Sequence, residues 1–203
     1  MHPKAEERFV EGPAGPLQTR ILDNGGGRWA LLCHPHPLYG GSMDNKVIVT
    51  TERALQQKGW STCVFNFRGV GESAGEYSGG QGERLDLLAV HRHLQDQHGM
   101  AHLLLGGFSF GAYISLSAWP QIAPQQLLSL APPVGLWPFD AIRTPECPWV
   151  VIQGGADEVV APGAVWDWLS SLERRPTLYW RDGVSHFFHR QLIWLREVIK
   201  LEY

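Results

Sequence analysis

Short, almost uniformly apolar runs recur along the chain at residues 29–33, 61–65, 102–105, 127–130, 149–153 and 177–180. Runs of that length without alternation predict strands covered on both faces. Between most of them the apolar residues fall at helical spacing instead. Val47, Ile48, Thr51, Ala54 and Leu55 mark one face of a helix over 44–58, and Gly59 sits where such a helix closes. Leu87, Val90 and Leu94, or alternatively Leu85, Leu88 and His91, mark a second helix that ends near Gly99. A third opens around Gly111. Pro162 suits the first turn of a fourth, which carries Val165, Leu169 and Leu172. Phe188, Leu192, Leu195 and Ile199 form the stripe of a terminal helix that would enclose His189. Ahead of all these, Arg8-Phe9-Val10 and residues 17–22 flank Gly12-Pro13-Ala14-Gly15-Pro16, which predicts an antiparallel pair joined by a turn.

Strands alternating with helices in short units predict an α/β fold: a mostly parallel sheet, helices on both faces, and antiparallel strands at the N-terminal end. With no repeat, low-complexity segment or linker, residues 1–203 are expected to form a single domain. Composition adds mainly exclusions. The net charge is −3 with no basic cluster, so nucleic acid is not an expected partner. The opening Met1-His2-Pro3-Lys4-Ala5-Glu6-Glu7-Arg8 has no apolar h-region, and no later run is apolar enough to span a bilayer, so a cytoplasmic location is expected. Cys33, Cys63 and Cys147 are odd in number and widely spaced; two lie in predicted strands and read as buried reduced thiols.

The candidate chemistry centres on Gly107-Phe108-Ser109-Phe110-Gly111, a Gly-x-Ser-x-Gly pattern between a strand and a helix. A serine at such a turn projects its hydroxyl above the sheet edge, and the flanking glycines let strand and helix approach. Glycine is abundant, so the pattern also arises by chance, and Gly71-Glu72-Ser73-Ala74-Gly75 repeats it. Ser73 leads into more glycine loop rather than a helix, which favours Ser109. A serine hydroxyl needs a base, and the base needs an orienting carboxylate. Asp157 directly follows the 149–153 strand, and His186 follows the 177–180 strand, so the order is Ser, Asp, His. Glu158 and Asp182 are rival acids and His189 a rival base. For the oxyanion, the Phe110 N–H is one expected donor. The second should come from the loop His34-Pro35-His36-Pro37-Leu38-Tyr39-Gly40-Gly41. Pro35 and Pro37 have no N–H and are excluded; Leu38 is the first choice with Tyr39 and His36 behind it, and no spacing singles it out. His34 and His36 lack the companions of a metal site, and Gly69-Val70-Gly71-Glu72-Ser73-Ala74 lacks the helix a dinucleotide fingerprint needs, so neither metal nor cofactor is expected.

These residues resemble the serine α/β-hydrolase superfamily across nearly the whole chain. The His34–Val47 segment (residues 34–47), Phe65-Asn66-Phe67-Arg68-Gly69-Val70-Gly71, the Ser109 motif and Ser185-His186-Phe187-Phe188-His189 are similar to small lidless bacterial α/β-hydrolases of uncharacterised substrate. The resemblance implies an α/β-hydrolase fold without a lid domain, a triad of Ser109, Asp157 and His186, and an oxyanion donor within residues 37–39. The His-Gly of larger esterases is His34-Pro35 here. Residues 131–148, where a lid would be inserted, are too few for one. Tyr39, Phe108, Trp137 and Phe187, together with Leu136 and Phe139, are candidates for the walls of an open apolar cleft. The expected function is a serine hydrolase, a carboxylesterase acting on short acyl esters. A thioesterase or small peptidase would use the same residues, and a non-catalytic binding protein retaining the fold is the alternative of another class.

Overall fold

The proline- and glycine-rich turn near the N-terminus folds β1 (Glu6–Gly12) back along β2 (Gly15–Leu22), with Val10 opposite Leu17. The computed structural model describes residues 5–203; the first residues of the N-terminal stretch read above, 1–4, lie outside the described residues. Six further strands follow: β3 (Arg28–Cys33), β4 (Ser61–Phe65), β5 (His102–Phe108), β6 (Gln126–Leu130), β7 (Trp149–Gly154) and β8 (Thr177–Arg181). They join one eight-stranded sheet in the order β1-β2-β4-β3-β5-β6-β7-β8. Strand β2 runs antiparallel to β4, and every pairing from β4 to β8 is parallel.

The unbroken apolar runs have their physical reason in the two layers of helix. Every residue of β4 and β7 is buried. Along β3, Ala30 and Leu32 enter one core while Leu31 and Cys33 enter the other. The first core is covered by α1 (Lys46–Gln57) and α5 (Leu192–Glu202), the second by α2 (Gln81–His98), α3 (Phe110–Ile122) and α4 (Pro162–Ser171). All five apolar positions expected on α1 are buried, Asn45 caps its N-terminus by accepting the Val47 N–H at 2.9 Å, and Gly59 turns away at φ +82°. On α2 the buried stripe is Leu87, Val90, His91 and Leu94, while Leu85 is exposed. Cys33 and Cys63 are buried free thiols whose pKa values burial pushes up; Cys147 is half-buried and free.

One element differs from its sequence pattern. The last helix opens at Leu192, so Phe188 and His189 lie ahead of it rather than in it. Phe188 adopts φ +54°, and its N–H donates to the Ser185 carbonyl at 3.0 Å in a separate turn. Its ring is nevertheless fully buried in the core beneath α1 and α5. The apolar spacing reflected a shared core, not a continuous helix. Between β6 and β7, residues 131–148 hold a tight turn bridged from Val134 to Trp137 and a 3-10 turn, Phe139–Ala141, with no longer helix among the described residues.

Candidate active site

Strand β5 ends at Phe108 and α3 begins at Phe110, so Ser109 alone makes the turn, at φ 52° and ψ −120°. That region costs a residue bearing a Cβ on the order of 1–3 kcal/mol. The surroundings hold it there: the Ser109 N–H donates to the Leu130 carbonyl at 2.8 Å, and the Ser109 carbonyl accepts from Ala112 N–H at 2.8 Å. The glycines are required by contact. A Cβ on Gly107 would stand 2.3 Å from the Gly111 carbonyl carbon, and one on Gly111 would stand 2.2 Å from the Cys33 carbonyl oxygen. Helix α3 therefore rests directly on the end of β3.

Asp157 and His186 leave β7 and β8 by the loops expected of them and meet Ser109 above the sheet. The His186 imidazole lies between the two, with Nδ1 at 2.8 Å from Asp157 Oδ2 and Nε2 at 3.0 Å from Ser109 Oγ. Four donors converge on the Asp157 carboxylate: His186 Nδ1, Gln153 Nε2 at 3.1 Å, and the backbone N–H groups of Val159 and Val160 at 2.9 and 2.7 Å. Burial alone would raise the pKa of Asp157, but these hydrogen bonds outweigh it and hold the group below its usual range. An ionised carboxylate only accepts, so Nδ1 carries the ring proton. Nε2 is then the acceptor, and Ser109 Oγ donates to it. This is the arrangement a general base needs to take a hydroxyl proton.

The rival residues are accounted for elsewhere. Glu158 accepts the backbone N–H of His186 at 3.0 Å and so anchors the loop that carries the imidazole. Asp182 accepts from the Trp180 indole at 2.9 Å. His189 lies exposed in the turn before α5. Ser73 is buried, donating to the Asn66 carbonyl at 2.7 Å and accepting the Gln18 N–H at 2.9 Å, which pins its loop to β2. The loop continues without a helix to Gln81, tied down by Arg68 on buried Asp86 at 2.7 Å and by Glu83, which accepts the Gly80 N–H at 2.7 Å.

In the loop expected to supply the second oxyanion donor, the hydrogen bonding differs from the sequence reading. The Leu38 N–H is not free: it donates to His36 Nδ1 at 3.2 Å, capping the 3-10 turn Pro37–Tyr39. The Tyr39 N–H is committed to the His36 carbonyl at 3.1 Å. Among the described residues, the N–H groups of His36 and Phe110 have no partner. The two lie on facing segments, with the His36 ring 5.0 Å from the Phe110 ring. Because Nδ1 accepts from Leu38, the His36 ring proton sits on Nε2 and faces the Tyr77 hydroxyl at 3.1 Å. Burial lowers the His36 pKa, and burial takes that of His34 down to about 4. The His34 ring bridges the Pro35 carbonyl at 2.6 Å and the Phe67 N–H at 3.0 Å. All four ring nitrogens thus meet protein groups, and the described residues contain no cluster of three His, Cys, Asp or Glu fit to hold a metal.

Of the cleft aromatics, Tyr39 is almost fully exposed, Phe187 is 37% exposed, and Trp137 is partly buried, stacked on Tyr113 with centroids 4.9 Å apart. Phe108 and Phe139 are corrections. Both are buried, and Phe108 packs behind the His186 ring at 5.1 Å rather than facing an opening. Sequence reasoning had no signal for Tyr77 or Gln153, whose roles rest on contacts across 41 and 4 residues of chain. Among the described residues no helix is long and apolar enough to cross a membrane.

A mostly parallel sheet with a strained serine between strand and helix, and an acid and imidazole on later loops, is an α/β-hydrolase fold. No protein-family model matches the chain. Solved structures do: the lidless α/β serine hydrolase XC6422 of Xanthomonas campestris is 45% identical, with a TM-score of 0.93 over 98% of this chain and 93% of that one. An α/β serine hydrolase homologue of Coxiella burnetii is 40% identical, with a TM-score of 0.93 over 97% of this chain and 96% of that one. The uncharacterised protein RP471 of Rickettsia prowazekii is 32% identical over 194 residues, 89% of this chain and 81% of the relative. The chain belongs to the lidless α/β serine hydrolases.

Proposed function

We propose that the protein is a carboxylesterase that cleaves short acyl esters through a Ser109–His186–Asp157 triad. The observation that carries this reading is the unbroken line of hydrogen bonds from Ser109 Oγ through His186 to Asp157. Ser109 Oγ attacks the ester carbonyl as its proton passes to His186 Nε2. Asp157 keeps the imidazole in the required tautomer and stabilises the imidazolium. The Phe110 N–H stabilises the oxyanion. The His36 N–H replaces that of Leu38 as second donor, since only the former is unpartnered among the described residues. His186 then returns the proton to the departing alcohol oxygen, and water, deprotonated by the same nitrogen, attacks the acyl-enzyme.

The preference for short acyl groups follows from the thin cover over the site: residues 131–148 supply one 3-10 turn where a long chain would need an enclosing wall. Rates for acetyl, butyryl, octanoyl and palmitoyl esters of one aryl alcohol test this. The reading expects kcat/KM to be highest for acetyl or butyryl and hydrolysis to vanish in Ser109→Ala. A maximum at palmitoyl, or activity that survives Ser109→Ala, would sink it.

A further inference from the structure

A groove lies beside the site. It encloses about 500 Å³ between the start of α1 and the turn that precedes α5. It begins at Phe187, whose ring stands edge-on to the His186 imidazole at 5.1 Å, and at Gly40, which closes the 3-10 turn of the oxyanion loop. Lys46, His189 and Arg190 line it, and none of their side chains has a hydrogen-bond or ion-pair partner among the described residues. The acid in its wall, Asp44, is already paired with Arg20 at 2.6 Å. The positive end of the twelve-residue helix α1 opens into the same space. The chain as a whole carries −3, so unpaired cations gathered here run against its general charge.

The backbone explains how they gather. Phe188 at φ +54° and Arg190 at φ +60° bend the segment after His186, so that Phe188 enters the core while Phe187, His189 and Arg190 face the groove. Those are left-handed conformations that side chains with a Cβ rarely adopt.

Resting on the hydrolase reading above, we infer that this groove binds a carboxylate carried by the substrate, so that the preferred esters are anionic. Lys46 and Arg190 supply the charge, Phe187 and Leu192 supply apolar wall, and Phe187 joins the groove to the His186 imidazole.

The test compares kcat/KM for a neutral aryl butyrate, the aryl hemisuccinate with its carboxylate on the acyl side, and a butyrate ester of a hydroxybenzoate with its carboxylate on the leaving group. Wild type, a Lys46→Ala/Arg190→Ala variant and a distant Lys200→Ala control are assayed, with fluorophosphonate labelling of each. We expect one charged ester to be favoured over the neutral one roughly tenfold, the effect of one charge-assisted hydrogen bond. That ratio should fall toward unity in the double variant and with rising salt, and hold in Lys200→Ala. Labelled protein that shows no preference, or a preference that survives the double variant, overturns the inference alone. Loss of both labelling and hydrolysis in wild type overturns the hydrolase reading, and the inference with it.

Discussion

Replacing Asp157 by Asn removes one charge and keeps the shape, and the outcome can be worked from the four donors that converge on it. Two backbone N–H groups address Oδ1, while His186 Nδ1 and Gln153 Nε2 address Oδ2. An asparagine amide must place its NH2 at one of these ends. Set toward Val159 and Val160, it faces two donors and forfeits both bonds. Set toward His186 and Gln153, it can be satisfied only if the Gln153 amide turns over to present its unpartnered Oε1 and the imidazole shifts its proton to Nε2, which then points a donor at Ser109 Oγ and removes the base. The second arrangement keeps the backbone bonds. On that account kcat should fall about 10³–10⁴-fold with little change in KM. Loss of a buried charge-assisted hydrogen bond should lower stability by about 1–3 kcal/mol. Steady-state hydrolysis of an aryl butyrate measures the first, and urea unfolding the second. Glu158→Gln provides the contrast, since the Glu158 carboxylate hydrogen-bonds the His186 backbone and not its ring. The reasoning is refuted if folded Asp157→Asn retains kcat within tenfold of wild type, or if Glu158→Gln is the more damaging change.

Three other outcomes follow from the same geometry. In Gly111→Ala the new methyl would sit 2.2 Å from the Cys33 carbonyl oxygen, so unfolding free energy should drop by about 3 kcal/mol or more, read by urea titration. Ser109→Gly and Ser109→Ala should both be inactive, but the glycine variant should be the more stable by about 1 kcal/mol, because only glycine is at ease at φ 52°; equal melting temperatures would contradict this. His34 is buried and neutral with a pKa of about 4 against an ordinary 6.5, so the unfolded chain takes up a proton that the folded chain refuses. Its contribution to stability is present above pH 6.5 and lost as pH falls toward 4, at about 1.4 kcal/mol per pH unit. His34→Gln should therefore flatten the acid-side fall in Tm, and an unchanged slope would count against it.

The elements were legible because they rest on local pattern. Strands between two helix layers must be apolar on both faces, and β4 and β7 are buried throughout for that reason. The strand-turn-helix around Ser109 was legible because the turn needs glycine at 107 and 111 for contact reasons that act over four residues. The placement of Asp157 and His186 beside Ser109 was legible from chain order, each on the loop after a strand. What stayed hidden is non-local. No spacing reveals that β4 inserts between β2 and β3 in the sheet. The periodicity of Phe188 with Leu192, Leu195 and Ile199 was a common burial, broken in the backbone by a left-handed residue. Which amide of the 34–41 loop stays free turned on the His36 ring taking the Leu38 N–H, and ring direction is not written in sequence.

The most direct test of the central claim is intact-mass and peptide analysis after treatment with an uncharged fluorophosphonate. The account expects one adduct per chain, on Ser109, formed far more slowly in His186→Ala. An adduct on Ser73, or ester hydrolysis by protein whose Ser109 stays unmodified, would contradict it.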